Sequence, residues 1–247
     1  MIHLTFDQDW APPWATERLA ADLRAAGQRG TLFVTNACAA LAPAAADGTL
    51  ELGLHPNFLP GSSHGATTGD VLDHVATLAP GAIGVRPHCL VTHTPLRLEY
   101  GRRGLLYESA DLMDGVENLA PLALWTGLVR FPIFWEDDVH LSFGRDCSPG
   151  ALRCSGGGLR VLNFHPVLLA LNASDLAGYG ALKASLAARG VALTAATEED
   201  FAPHVSNKRG VRDLLADVLE LLSARPDQAG GTLREGWERF TGRSAAT

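Results

Sequence analysis

Residues 2–14 read IHLTFDQDWAPPW, and the meaning of this stretch decides the fold. Five residues of β-favouring, largely apolar sequence run straight into Asp7 and Asp9, and Pro12 and Pro13 then stand where a helix begins. In an extended chain, two carboxylates one residue apart point the same way, so both can face one small volume. Placed together they repel, and one stays protonated unless a cation shares the space. A divalent metal is the economical cation, since it takes deprotonated hard or borderline ligands. The same two acids also suit a turn or helix cap ahead of PPWATERL, and taken alone the stretch supports either reading.

Outward from residues 2–6, similar β-rich runs recur. They are GTLFVT at 30–35, LELGLH at 50–55, AIGVRPH at 82–88, VRFPIFW at 129–135, LRVLNFH at 159–165 and VALTAAT at 191–197. Amphipathic helices fall between several of them, most clearly ATERLAADLRAAG and SDLAGYGALKASLAARG, each closed by a glycine at the expected C-terminal position. Such alternation is the mark of a parallel sheet wrapped by helices. Periodicity leaves a barrel and an open doubly wound sheet equally possible. In either fold the functional residues gather at the C-terminal ends of the strands. Here those ends carry Asp7 and Asp9, Asn36, His55 and Asn57, Arg86 and His88, the run Trp135 to Asp138, and His165. After residue 206, GVRDLLADVLELLSAR and TLREGWERF read as terminal helices joined by PDQAGG, an extension over 207–247 packed on a 1–206 barrel or against a second copy in a homodimer.

Bulk composition narrows the class of function. A chain of 247 residues with 47% hydrophobic and 19% charged content suits one large α/β domain with a sizeable core. A net charge of −7 without a basic stripe excludes a nucleic-acid surface, which would need to displace counterions from phosphates. No apolar run approaches the roughly 20 residues of a spanning helix, and the N-terminus lacks the features of a signal peptide; membrane insertion is not expected and the cytoplasm is. Four cysteines without a CxxC pair are read as free thiols.

Chemistry-bearing residues cluster in five short segments. In LGLHPNFLPGSSHG, His55 ends a strand and Pro56 stops it, while His64 sits on a Pro60–Gly61–Ser62–Ser63 loop able to fold back. One carboxylate with two imidazoles is a recurring donor set for Zn²⁺ or a related ion. Arg86 can hold Asp7 ionised and aim it, and His165 can protonate a leaving group across the site. In FWEDDVH, one of Glu136, Asp137 and Asp138 can hydrogen-bond His165 and raise its pKa, and Trp135 can wall a sugar-sized pocket. Trp10, Asn57 and His88 complete the candidate substrate contacts. Each of these residues also has an ordinary structural use: Arg86 in an ion pair, His165 ahead of Pro166, the acids as a solvated loop.

With those residues in place the chain resembles the polysaccharide deacetylases of the NodB-homology family, and within it the WbmS-like branch associated with O-antigen sugars. TFDQD stands at the first family motif, in the variant with one residue between the acids; HPNFLPGSSH stands at the metal-histidine motif, RPH at the arginine motif, FWEDD at the Asp/Trp motif and NFHP at the last histidine motif. The order and approximate spacing agree from residue 2 to about 200. The resemblance implies a distorted (β/α)7 barrel and metal-dependent removal of an N-acetyl group from a small-molecule or oligosaccharide sugar. It also implies Asp7 as general base, Asp9 as metal ligand, His55 and His64 completing a Zn²⁺ site, Arg86 orienting Asp7, and His165 as general acid. One departure stands out. The family sets its two metal histidines four residues apart, whereas the fourth residue after His55 is Leu59, so the second imidazole is expected from His64, with His88 as the alternative. Other expectations compatible with the barrel are a non-catalytic carbohydrate-binding relative and a hydrolase of a different, cyclic amide.

Overall fold

The computed structural model describes residues 1–245, so residues 246–247 of the expected extension lie outside the described residues. Its strands are β1 (Ile2–Asp7), β2 (Gly30–Val34), β3 (Leu50–Leu54), β4 (Gly84–Val85), β5 (Tyr107–Glu108), β6 (Leu122–Ala123), β7 (Val129–Arg130), β8 (Trp135–Glu136) and β9 (Arg160–Phe164). They form one sheet in the order β6-β7-β5-β4-β3-β2-β1-β9-β8. Every neighbouring pair is parallel except β6 with β7. All six residues of β1 are buried, as is usual for a central parallel strand covered on both faces.

The sheet curls because one run of chain serves both of its ends. Residues 129–135, expected as a single strand, are interrupted at Pro132, which has no N–H to give to a ladder. Val129 and Arg130 pair with β5, while Trp135 and Glu136 pair with Leu162 and Asn163 of β9 at the opposite side. The result is the distorted, curled (β/α) half-barrel. β8 takes the edge of β9, and the strand expected at residues 191–197 is replaced by a short 3₁₀ turn at Leu193–Ala195. The 82–88 run is likewise cut to Gly84–Val85. β5 and β6 escape a reading by periodicity, since each has only two residues.

The helices are α1 (Pro13–Ala25), α2 (Ala42–Ala46), α3 (Thr68–Leu78), α4 (Thr94–Arg102), α5 (Asp137–Ser142), α6 (Pro166–Ala170), α7 (Ala177–Ala188), α8 (Glu198–Phe201), α9 (Val211–Ala224) and α10 (Leu233–Thr241). Leu214, Leu215, Val218 and Leu222 of α9 join the same buried cluster as Leu4 and Phe6 of β1. Leu233 and Trp237 of α10 pack with Phe33 and Phe131. The first turn of α10 is also tied to the sheet, where Leu233 N–H donates to Thr31 Oγ1 at 2.8 Å and Arg234 N–H to Glu51 Oε2 at 2.9 Å. Among the described residues no helix is long and apolar enough to cross a membrane.

Gly84 shows how tightly the strand that delivers Arg86 is packed. A Cβ there would overlap the ring of Tyr107, which is fully buried and donates its hydroxyl to Glu51 Oε1 at 2.8 Å. Gly84→Ala is therefore expected to lower stability by about 1–3 kcal/mol, the usual cost of overpacking. Urea unfolding should show a reduced midpoint with an unchanged slope.

Candidate active site

The curl brings the C-terminal ends of β1, β3, β4, β8 and β9 around one space. At the exit of β1, the Gln8 side chain plugs the neighbouring loop: its Oε1 accepts Thr35 N–H at 2.9 Å and Asn36 N–H at 3.1 Å. Asp9 and Trp10 then take left-handed backbone conformations, with φ of 43° and 56°. Side chains other than glycine rarely adopt that region, and such strain clusters at functional turns. The turn carries the Asp9 carboxylate back over the strand ends.

There Asp9 meets two imidazoles. Its Oδ1 lies 3.0 Å from His55 Nε2 and 3.0 Å from His88 Nδ1. His55 follows β3 directly, with its N–H donating to Val34 O at 3.1 Å, and His88 is held by its N–H donating to Pro56 O at 2.9 Å. The potential ligand atoms of Asp9, His55 and His88 all lie within 4.8 Å of one another. Burial works to raise the Asp9 pKa, yet hydrogen bonds from His55 and His88 hold it well below the usual carboxylate range. Burial works to lower the His88 pKa, and Asp9 reverses this and raises it. Two imidazole nitrogens aimed at one carboxylate oxygen make a set that a divalent cation would satisfy, and one carboxylate with two imidazoles suits Zn²⁺ and its neighbours.

Beside this set lies a second buried carboxylate. Asp7 is 2% exposed and accepts from Arg86 Nη1 at 3.0 Å and from Asn163 Nδ2 at 2.9 Å. Burial tends to raise its pKa, but Arg86, then His55 and His165, lower it below the ordinary value. Arg86 is fully buried and spends its remaining donors on Ser109 O, Ser109 Oγ, Thr5 Oγ1 and Asn163 Oδ1. Its guanidinium sits 4.5 Å from the Phe33 ring centroid.

Across the space, Asp137 grips His165 twice. Its Oδ2 accepts the His165 backbone N–H at 2.8 Å and its Oδ1 lies 2.6 Å from His165 Nδ1. That bond places a proton on Nδ1 and turns Nε2 toward Asp9 Oδ2, 3.6 Å away. Burial alone would lower the His165 pKa; Asp137, Asp9 and Asp138 together lift it well above the usual histidine value.

Several expected contacts fall elsewhere. His64 stays outside the ligand set because both of its nitrogens are taken: Nδ1 accepts Asn57 N–H at 3.1 Å and Nε2 lies 2.8 Å from Thr35 O. Burial lowers its pKa, which keeps the ring neutral in that role. The alternative, His88, occupies the place instead. Asn57 closes its own turn, with Oδ1 accepting Leu59 N–H at 3.0 Å. Trp135 does not wall a pocket: it is 3% exposed, packs on Phe164 and donates its indole N–H to His140 Nδ1 at 3.0 Å. Asp137 is buried behind His165 and unable to reach a substrate. Trp10 remains at the rim, edge-on to His88 with centroids 5.2 Å apart, and half-buried Asp138 stands at the start of α5. Asn163 was not among the candidates, although an asparagine inside the apolar run LRVLNFH signals a polar partner in the core; Glu136, expected as one of the acids able to bond His165, accepts from Asn163 Nδ2 instead.

Comparisons with known proteins identify what the chain is similar to. The family model described as WbmS-like polysaccharide deacetylase matches residues 4–183. Among solved structures, one described as a polysaccharide deacetylase involved in O-antigen biosynthesis, WbmS of Bordetella bronchiseptica, is 29% identical. The match covers 89% of this chain and 90% of that one, with a TM-score of 0.76. A polysaccharide deacetylase from Mycobacterium smegmatis is 18% identical over 83% of this chain and 89% of its own, at a TM-score of 0.49. A family 4 carbohydrate esterase from Streptomyces lividans is 19% identical over 77% and 89%, at 0.43. No curated protein matches the sequence.

The grip of Asp137 has a measurable consequence. Because Asp137, Asp9 and Asp138 raise the folded pKa of His165 well above the ordinary value, its imidazolium is expected to persist to higher pH than that of a free histidine. Asp137→Asn should bring that titration down toward the ordinary histidine value of about 6.5, read from the imidazole resonances by NMR. An unchanged His165 titration in that variant would remove Asp137 from this role.

Proposed function

This chain belongs to the WbmS-like polysaccharide deacetylase family, and we propose that it hydrolyses the N-acetyl group of an N-acetylated sugar, a polysaccharide or O-antigen precursor. The observation that carries the proposal is the convergence of Asp9, His55 and His88 beside two differently tuned pairs, Asp7 with Arg86 and His165 with Asp137. A depressed carboxylate and an elevated imidazole on facing sides of one space make a base and an acid that are both in the required protonation state at neutral pH.

A divalent ion, Zn²⁺ by preference, would be held by Asp9, His55 and His88 and would supply Lewis acidity toward water and the amide carbonyl. The chain's own groups do the rest. Asp7, kept anionic by Arg86, accepts a proton from the attacking water. Arg86 and Asn163 each hold one oxygen of that carboxylate, so its direction is set before substrate arrives. The imidazolium of His165 gives its Nε2 proton to the departing sugar amine, without which an amide would not break at neutral pH. Asp137 holds the ring throughout and stabilises its charge. Trp10 at the rim and Asp138 at the head of α5 are the side chains placed to meet the sugar.

Acetate release from N-acetylated sugars or oligosaccharides should stop on chelation and return with added Zn²⁺ or Co²⁺. Asp7→Asn should lower turnover by about 10²–10⁴-fold, the range for loss of a general base; full activity in that variant would overturn the assignment. Metal analysis separates the two histidine candidates: His55→Ala and His88→Ala should lose bound ion, whereas His64→Ala should retain it. Retention in His88→Ala with loss in His64→Ala would reverse the choice.

A further inference from the structure

Behind Asp7 lies a second carboxyl that the chemistry above leaves unused. Glu136, at the end of β8, is buried, and its Oε1 accepts from Asn163 Nδ2 at 2.8 Å. The same amide nitrogen donates to Asp7 Oδ2 at 2.9 Å. One NH₂ group therefore bridges two carboxyls. Their oxygens also lie with a His165 nitrogen inside a span of 4.8 Å.

The charges around this bridge are unequal. Asp7 touches the Arg86 guanidinium at 3.0 Å, whereas Glu136 has no ion pair and no other side-chain hydrogen bond among the described residues. Facing Glu136 are Asp138 from α5, Asp7 from β1, and the positive groups His165 and Arg86, which act on it without contact. An anion at Glu136 would be buried, unpaired and next to another carboxylate, and proteins resolve that conflict by keeping a proton.

We propose that Glu136 is a neutral positioning residue: as a carboxylic acid it anchors Asn163, and through Asn163 it fixes the direction of the Asp7 carboxylate. This rests on the deacetylase reading, in which Asp7 is the base. Burial first, and then Asp138, push the Glu136 pKa up to about 8, in keeping with the geometry. The sign of the effect follows. Below that range the bridge carries one negative charge. As pH rises through it a second anion forms beside the base, close to where negative charge develops on the attacked carbonyl, and turnover falls.

The test is carboxyl-carbon NMR of the metal-loaded protein labelled in its glutamate side chains. One resonance should titrate above neutrality and be missing from Glu136→Gln. If the resonance lost in that variant ionises in acid with ordinary glutamates, the proposal is overturned. In kinetics, Glu136→Gln keeps the acceptor for Asn163 but cannot ionise, so it should hold kcat within severalfold and stay active further into the alkaline range. Glu136→Ala should lower kcat by about a hundredfold, as small misplacements of a reacting group do, with KM little changed. Unaltered kcat and an unaltered alkaline limb in both variants would also overturn it. Because the titration needs no turnover, a protein that released no acetate would count against deacetylation and leave the carboxyl result to decide this point.

Discussion

A guanidinium sealed from water at the centre of the curled sheet constrains everything around it. Removing Arg86 from solvent costs several kcal/mol, which is recovered only if its donors find well-placed partners. They find them on separate elements: Thr5 and Asp7 of β1, Asn163 of β9, and Ser109 just past β5. The Phe33 ring of β2 covers its face. One side chain at the exit of β4 thus fixes the relative positions of the strand ends that carry Asp7 and His165.

That arrangement explains how so many carboxyls share a small volume. Asp7 is held by Arg86, Asp137 by His165, and Asp9 by two imidazoles that together offer a place for a divalent ion. Glu136 is left without a cation, and its raised pKa is the expected response. The same low-dielectric setting therefore produces a depressed carboxylate and an elevated one, both hydrogen-bonded to one asparagine. Asp7 touches Arg86 and is lowered by it, by His55 and by His165, whereas Glu136 has no such contact and is raised by burial and by Asp138.

The strand ends were legible because they are local features. Alternation and proline punctuation place Asp7, His55, Arg86 and His165 at the exits of parallel strands, and a parallel sheet collects its strand exits on one side. The family resemblance was equally legible, since it rests on short motifs in order. Histidine choice was not. His64 is nearer to His55 in sequence and on a loop built to bend, but its two nitrogens are consumed by Asn57 and Thr35, partners that exist only once β2 and the 55–64 loop are packed together. Trp135 misled for a similar reason: an aromatic next to acids reads as a pocket wall, yet the pairing of β8 with β9 turns it into the core.

The sequence by itself determined the longer strands β1, β2, β3 and β9, their parallel character and the chemical inventory at their ends, because backbone propensity and side-chain type act over a few residues. Tertiary structure alone decided which imidazole faces Asp9, which acid grips His165, and which buried carboxyl is left without a cation. Those outcomes depend on hydrogen bonds between residues far apart in the chain, such as Arg86 to Asp7 and Asn163 to Glu136, and on the exclusion of water that makes each such bond consequential.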